Sequence, residues 1–195
     1  YELIDFCIRT GRLYESYPHH NAVFVGKDKD GQPRYACLRG IGTDFKGEAT
    51  GSDKRFSFSI PAEESSQVLY LFESAIDLLS FAAMAQEDRL PWRAQHLLSL
   101  AGVYQPKKNL TERPLPLALS QYLRDHREIQ TIYLCLDNDL AGRSAADAIR
   151  QQLAGRYVVL DGFPCQGKDY NDWLCLRKGL PITRTVSKPE RSMAR

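Results

Sequence analysis

Three acidic residues in this chain have the type and spacing to hold a hard cation against phosphate. Glu73 follows the apolar run Val68 to Phe72, and Asp137 and Asp139 follow the apolar run Thr131 to Leu136. Residues two apart in extended backbone project to one side with Cα atoms roughly 6 to 7 Å apart, so both aspartates can reach one ion between them. If Glu73 comes from the neighbouring strand, three carboxylates converge. Two such charges 4 Å apart repel by about 4 kcal/mol at an effective dielectric of 20, which demands a proton or a cation. An oxygen-only site with few protein ligands suits Mg²⁺, which keeps several waters and completes its shell with substrate phosphates. The chemistry that follows is phosphoryl transfer, with the ion neutralising charge on the phosphate and a metal-free carboxylate moving the proton of a hydroxyl or water.

Each acid also has a plain structural alternative. Asp139 could cap the helix that begins at Leu140, Glu73 could face a helix amino terminus, and Asp77, one turn later, could be a surface acid. Singly these weigh at least as much as a functional role. Jointly they weigh less, because the acids fall at successive strand ends, with Lys168-Asp169-Tyr170-Asn171-Asp172 after the last strand. In open α/β sheets ligands bind beyond the carboxyl ends of the strands.

The elements that must position these residues read as strand and helix in turn. Val68 to Phe72, His96 to Leu100, Thr131 to Leu136 and Tyr157 to Leu160 are short apolar runs. Between and after them, helical spacing covers Ser74 to Gln86, Leu115 to His126, Leu140 to Leu153 and Asn171 to Arg177. Such alternation predicts a parallel sheet covered by helices on both faces. The first part reads differently: Ala22 to Gly26 and Arg34 to Arg39 flank the turn-rich Lys27 to Gly31, an antiparallel hairpin. In Arg55 to Ile60 apolar and polar residues alternate, which predicts a third strand with Phe56, Phe58 and Ile60 on one face. Pro61 and Glu63 to Gln67 then read as a linker. The fold expected is α/β, a Rossmann-like parallel sheet flanked by helices (67–180) after a small, basic α+β subdomain with antiparallel strands (1–66), with a disordered basic tail over 181–195.

Composition narrows the class. A chain of 195 residues, 43% apolar and 26% charged, suits one compact domain or two small ones and excludes disorder throughout. No apolar run approaches the roughly 18 to 20 residues of a membrane span, and no signal-peptide pattern opens the chain, so a cytoplasmic protein without a membrane partner is expected. Cys7, Cys37, Cys135, Cys165 and Cys175 are odd in number, widely spread and without a C-x-x-C pair, as reduced and mostly buried thiols would be. His19-His20 reads as a solvated loop pair, and Trp92 and Trp173 as packing residues. The net charge of +2 decides nothing, but its distribution does, with Arg34, Arg39, Lys46, Lys54 and Arg55 gathered in the first third. A start at Tyr1 and a pattern-free basic end are read as those of a fragment, whose parent would supply further domains.

Glu73-Ser-Ala-Ile-Asp77 with its apolar helix, Asp137-Asn-Asp139-Leu-Ala-Gly142-Arg143 after an apolar strand, and Gly167-Lys168-Asp169-Tyr-Asn-Asp172 together resemble the Toprim domain. Toprim domains occur in DnaG-type bacterial primases, type IA and type II topoisomerases, OLD-family nucleases and ribosomal-RNA-maturing nucleases. The D-x-D followed by Ala-Gly-Arg, and the Gly-Lys-Asp block, look most like the primases, and the resemblance covers roughly residues 67 to 178. Ser74 departs from the glycine usual in the family. More faintly, the hairpin at Asp30-Gly31, the strand reaching Arg39-Gly40 and Gly51-Ser52-Asp53-Lys54 resemble the amino-terminal subdomain of the primase core, a pairing similar to that in proteins of mobile elements.

The resemblance implies roles. Glu73 would be the general acid or base with Asp77 in support, and Asp137, Asp139, Glu73 and Asp169 would hold Mg²⁺, for which Mn²⁺ could substitute. Lys168 and Arg143 would meet phosphate. Arg39, Lys54 and Arg55 would hold template or nucleotide phosphates across a groove, as positioning contacts without sequence information. The activity implied is primase-like nucleotidyl transfer on single-stranded DNA with nucleoside triphosphates. The same acids serve a nuclease or nickase that directs water at a phosphodiester, and a non-catalytic nucleic-acid-binding module is the third reading. A topoisomerase needs a nucleophilic tyrosine in a further domain, and in a receiver domain the acid pair follows the first strand.

Overall fold

The computed structural model describes residues 1–102 and 115–182. The expected tail from 181 lies almost wholly outside the described residues. An amino-terminal helix α1 (Glu2–Arg9) precedes a four-stranded antiparallel sheet of β1 (Leu13–Glu15), β2 (Asn21–Lys27), β3 (Pro33–Gly40) and β4 (Lys46–Glu48), in that spatial order. Leu3 and Cys7, one helical turn apart, are the buried side chains of α1. The β2–β3 turn is organised by one carboxylate: Asp28 accepts from the Asp30 and Gln32 backbone N–H groups at 3.1 and 2.9 Å and from Arg34 Nε at 2.7 Å. That is the turn chemistry expected of an Asp ahead of a Gly.

The second sheet comprises β5 (Ser59–Ile60), β6 (Val68–Phe72), β7 (His96–Ser99), β8 (Thr131–Cys135) and β9 (Val158–Asp161), ordered β5-β7-β6-β8-β9. β7, β6, β8 and β9 run parallel, and β5 adds an antiparallel edge. The helices are α2 (Ala75–Glu87), α3 (Leu117–Asp125), α4 (Leu140–Leu153) and α5 (Tyr170–Arg177). Side-chain alternation in the strands divides the core in two. Phe72, Leu97 and Cys135 join one cluster with α2, α1 and Tyr170, whereas Leu69, Leu71, Leu98, Ile132 and Leu134 join another with α3 and α4. Fully burying each such Leu or Phe contributes about 1.5 to 3 kcal/mol.

The alternation in Arg55 to Ile60 does not make a third strand of the first sheet. Lys54–Phe56 form a 3-10 turn because the Asp53 carboxylate accepts from the Arg55 N–H at 3.0 Å and holds the Arg55 guanidinium. Only Ser59 and Ile60 are strand, and they pair with Leu98 and Leu97 of β7. The 3-10 turn lies against Gly26 of β2, where a Cβ would stand 1.7 Å from the Phe56 carbonyl oxygen, so only glycine permits the approach. Phe58, fully buried, meets Phe24 edge to face at 5.7 Å. The two sheets therefore share one apolar cluster containing Phe24, Tyr35, Phe58 and Phe72.

The strand order creates a switch point. From β6 the chain crosses to β7 on one side, then passes back over to β8 on the other. The carboxyl ends of β6 and β8 lie side by side where the winding reverses, the crevice in which doubly wound folds bind ligands.

Candidate functional site

Glu73 and Asp137 stand at that reversal. Phe72 and Cys135 are register partners, so Glu73, one residue beyond β6, and Asp137, two beyond β8, emerge together. The Asp137 N–H donates to Glu73 Oε2 at 3.2 Å. Both acids are buried, at 9% and 8% exposure. Burial, and then the Asp137 charge beside it, push the Glu73 carboxyl up to about 8.

Asp139 caps α4, with Oδ1 accepting the Gly142 N–H at 2.9 Å, and this bond holds its carboxyl below the usual range. The cap leaves Oδ2, which faces Lys168 Nζ at 3.3 Å. Structural and functional readings of Asp139 thus coexist in one side chain. Gly142 is needed at that position because a Cβ would stand 2.1 Å from the Asp137 carbonyl oxygen. The first turn of α4 packs directly on the backbone that presents Asp137.

Asp77 is no surface acid. It is 7% exposed, its Oδ2 accepts from Ser74 Oγ at 2.5 Å, and its Oδ1 accepts from the Asn171 N–H at 3.3 Å. Ser74 in turn caps α2 by accepting the Asp77 N–H at 3.2 Å. The Ser74 hydroxyl thus donates to the Asp77 carboxylate and accepts its N–H, closing the turn from β6 into α2. Burial first, opposed by the Ser74 bond and helped by the Asp169 and Asp137 charges, raises the Asp77 carboxyl to about 6.

The Gly-Lys-Asp block joins the same cluster. The Asn138 N–H donates to the Lys168 carbonyl at 2.6 Å, tying this loop to the one that carries the two aspartates. Asp169 caps α5 by accepting the Asp172 N–H at 2.7 Å, and burial raises its carboxyl. Lys168 Nζ sits 2.6 Å from Asp137 Oδ2, and this bond raises the ammonium pKa. Among the described residues it is the one cationic side chain paired with Glu73, Asp77, Asp137, Asp139 or Asp169. One ammonium against five carboxylates leaves an excess of negative charge in a site lined only by oxygen. Carboxylates are the donors that hold hard divalent cations, so the residue types present fit one, but among the described residues no three of these acids bring ligand atoms within 4.8 Å of one another.

The basic residues are placed differently. Arg143 reaches Asn138 Oδ1 and stacks on Phe163 at 4.9 Å, beside the acids. Arg39 donates to the Leu38 carbonyl at 2.8 Å, Lys54 pairs with Glu48 at 3.0 Å, and Arg55 pairs with Asp53 at 2.6 Å. No ion pair or hydrogen bond joins these three to the acids among the described residues. Sequence reasoning passed over Ser74, Asn138 and the Asn171 N–H, which hold Asp77 and Arg143. Ser74 at the residue before a helix was the available signal.

The surroundings agree with the expected packing roles. The five cysteines are free, with Cys7, Cys37 and Cys135 buried. Trp92 packs edge to face on Phe6, and Trp173 packs at a tilt on Tyr170. No helix of the described residues is long and apolar enough to cross a membrane.

A family model described as Toprim-like matches residues 70–174, more than half of the chain. A second, described as a protein of unknown function (DUF3991), matches residues 1–65. A curated relative, the 65 kDa protein of Zymomonas mobilis subsp. mobilis, is 27% identical over 174 residues, 84% of this chain and 28% of the relative. The primase fragment of the bacteriophage T7 primase-helicase protein superposes with a TM-score of 0.57 at 20% identity, over 90% of this chain and 66% of that one. The DnaG primase catalytic domain bound to single-stranded DNA superposes with a TM-score of 0.55 at 15% identity, over 90% and 55%. This chain thus spans little more than a quarter of the curated relative and between half and two thirds of these structures. At such identities the superpositions establish the fold.

Proposed function

This chain belongs to the Toprim-like family, and on that premise we propose that it carries the catalytic core of a primase-like nucleotidyltransferase acting on single-stranded DNA with nucleoside triphosphates. The observation that supports this most is that Glu73 accepts the Asp137 N–H at the β6/β8 reversal while Lys168 bridges Asp137 and Asp139. The likeness to structures described as primases supports putting this reading ahead of the nuclease.

Asp137, Asp139, Glu73 and Asp169 would hold Mg²⁺, with Mn²⁺ able to substitute. Bound there, the ion supplies neutralisation of charge on the transferring phosphate. The chain's own groups do the rest. Glu73, at the end of β6, would take the proton of the 3′ hydroxyl that attacks the α-phosphate as pyrophosphate leaves. Asp77 acts as a positioning residue, fixing the turn from β6 into α2 and the start of α5. Lys168 and Arg143 lie where phosphate oxygens would complete their hydrogen bonding. Arg39, Lys54 and Arg55, on the 1–66 subdomain, would position template phosphates beside the 67–180 domain.

A Mg²⁺- or Mn²⁺-dependent assay on labelled single-stranded DNA, with and without nucleoside triphosphates, tests this. Oligomers or extension products that vanish in Glu73→Gln support it. Metal-dependent cleavage without triphosphates would replace it with the nuclease, and metal binding without turnover would leave a binding module.

A further inference from the structure

A second convergence of metal-ligating side chains lies at the other end of the parallel sheet. His96 opens β7 and is the register partner of Leu69. Glu73 lies four residues beyond Leu69, roughly 13 Å along the strand. His126 and Glu128 come from the segment between α3 and β8. One ligand atom each from His96, His126 and Glu128 can be chosen so that all lie within 4.8 Å of one another.

His96 is 3% exposed, and its Nε2 is buried without a hydrogen-bond partner. Leaving such a polar atom unsatisfied costs about 1 to 3 kcal/mol, so it calls for a ligand. Glu128 Oε1 stands 3.5 Å from this nitrogen without a hydrogen bond to it, and the same oxygen is hydrogen-bonded to His126 Nδ1 at 3.2 Å. Two ligands on one tetrahedral zinc, at about 2.0 to 2.2 Å each, are separated by roughly 3.3 to 3.5 Å. The carboxylate oxygen therefore stands at the separation from both rings that a shared ion produces.

The surroundings hold His96 in the required orientation. Its Nδ1 lies 3.1 Å from Tyr122 Oη, with the Ala62 N–H more distant at 3.5 Å. A metal on Nε2 requires the tautomer in which Nδ1–H donates to the tyrosine hydroxyl, the nearer of its two partners, and that outer-sphere bond then fixes the ligating ring. His126 stacks against Tyr122 at 4.3 Å and His96 at 4.6 Å between ring centroids. The His126 and Glu128 side chains keep 23% and 38% exposure, so a water can reach the fourth position.

We propose that His96, His126 and Glu128 form a second metal site, selective for zinc-class transition ions, that clips the end of α3 to the amino-terminal edge of the sheet. Two imidazoles and one carboxylate are a borderline donor set that prefers Zn²⁺ over Mg²⁺. The site is chemically and spatially separate from the oxygen-only cluster. It stands whether or not the chain is a nucleotidyltransferase, because it uses none of the same residues.

The test begins with the full chain stripped of metal by a chelator and returned to buffer with excess Mg²⁺. Zn²⁺ is then titrated against a chromophoric chelator, with thermal melting in parallel. One equivalent should bind, and free Zn²⁺ at 100 times Kd should raise Tm by about 5 to 10 °C. His126→Ala and Glu128→Gln, both at the surface, should fold by circular dichroism yet weaken Zn²⁺ at least tenfold and lose the Tm rise. Glu73→Gln should keep the equivalent. No Zn²⁺ binding by wild type would overturn the proposal. So would an equivalent that survives both surface variants, or one that disappears in Glu73→Gln.

Discussion

Replacing Glu73 by glutamine should stabilise the metal-free protein, and by an amount that depends on pH. Burial and the Asp137 charge raise this carboxyl from 4.5 to about 8. Between those values the folded chain keeps a proton that the unfolded chain has released, so stability falls as pH rises. The fall is about 1.4 kcal/mol per pH unit. From 4.5 to 7 that amounts to about 3 kcal/mol, and the loss is complete once pH passes the folded value. Glutamine matches the shape of the protonated acid and keeps an oxygen for the Asp137 N–H, but it carries no charge at any pH. Wild type and Glu73→Gln should therefore unfold alike near pH 4.5. At pH 7 the variant should be more stable by about 3 kcal/mol, a midpoint shift on the order of 1 to 3 M urea. Urea unfolding followed by circular dichroism in chelator, from pH 4.5 to 8.5, measures both curves. Added Mg²⁺ should stabilise wild type and not the variant, narrowing the gap. A variant less stable than wild type at pH 7, or one with the same pH slope, would show that the carboxylate is structural and refute the reasoning.

Gly142→Ala should cost about 1 to 3 kcal/mol and weaken Mg²⁺ binding, because the added methyl meets the Asp137 carbonyl at 2.1 Å; chemical denaturation and a Mg²⁺ titration read the two effects. Phe58→Ala empties the joint between the sheets, where the ring is fully buried against Phe24, and should cost about 3 to 5 kcal/mol in the same unfolding assay. Lys168→Met should raise KM for the triphosphate with a smaller change in kcat, since its half-exposed ammonium is assigned to phosphate; an unchanged KM would remove it from that role. At high pH the same lysine bears on stability. Its folded pKa is raised by Asp137, so its contribution persists below the unfolded value near 10.5 and fades as pH climbs above it.

Much of the architecture is written locally. β6 and β8 are apolar runs ended by acids, α4 starts at a capping aspartate, and the β2–β3 turn follows from Asp28 through Gly31. Such signals depend on residues within one element, which is why they read correctly. One misreading and one open alternative have the same origin. Arg55 to Ile60 alternates as a strand does, but Asp53 captures the Arg55 backbone and side chain and turns the segment away. For Asp77 the sequence left a surface acid open beside its supporting role, and the α5 contact that decides between them is one no spacing within α2 reveals.

The sequence by itself determined the alternation of strands and helices, the acids at the strand ends and the caps that hold two of them, since periodicity and capping act over a few residues. Tertiary structure decided the rest. Only the crossover that sets β6 beside β8 brings Glu73 within 3.2 Å of the Asp137 backbone. The same burial that raises Glu73 toward 8 exists only in the packed state. His96 lies thirty residues before His126 in the chain, and it meets His126 and Glu128 because β7 and the end of α3 fold onto one end of the sheet. A charge in a chain has neighbours in sequence, but its pKa and its ligands depend on distances that packing alone sets.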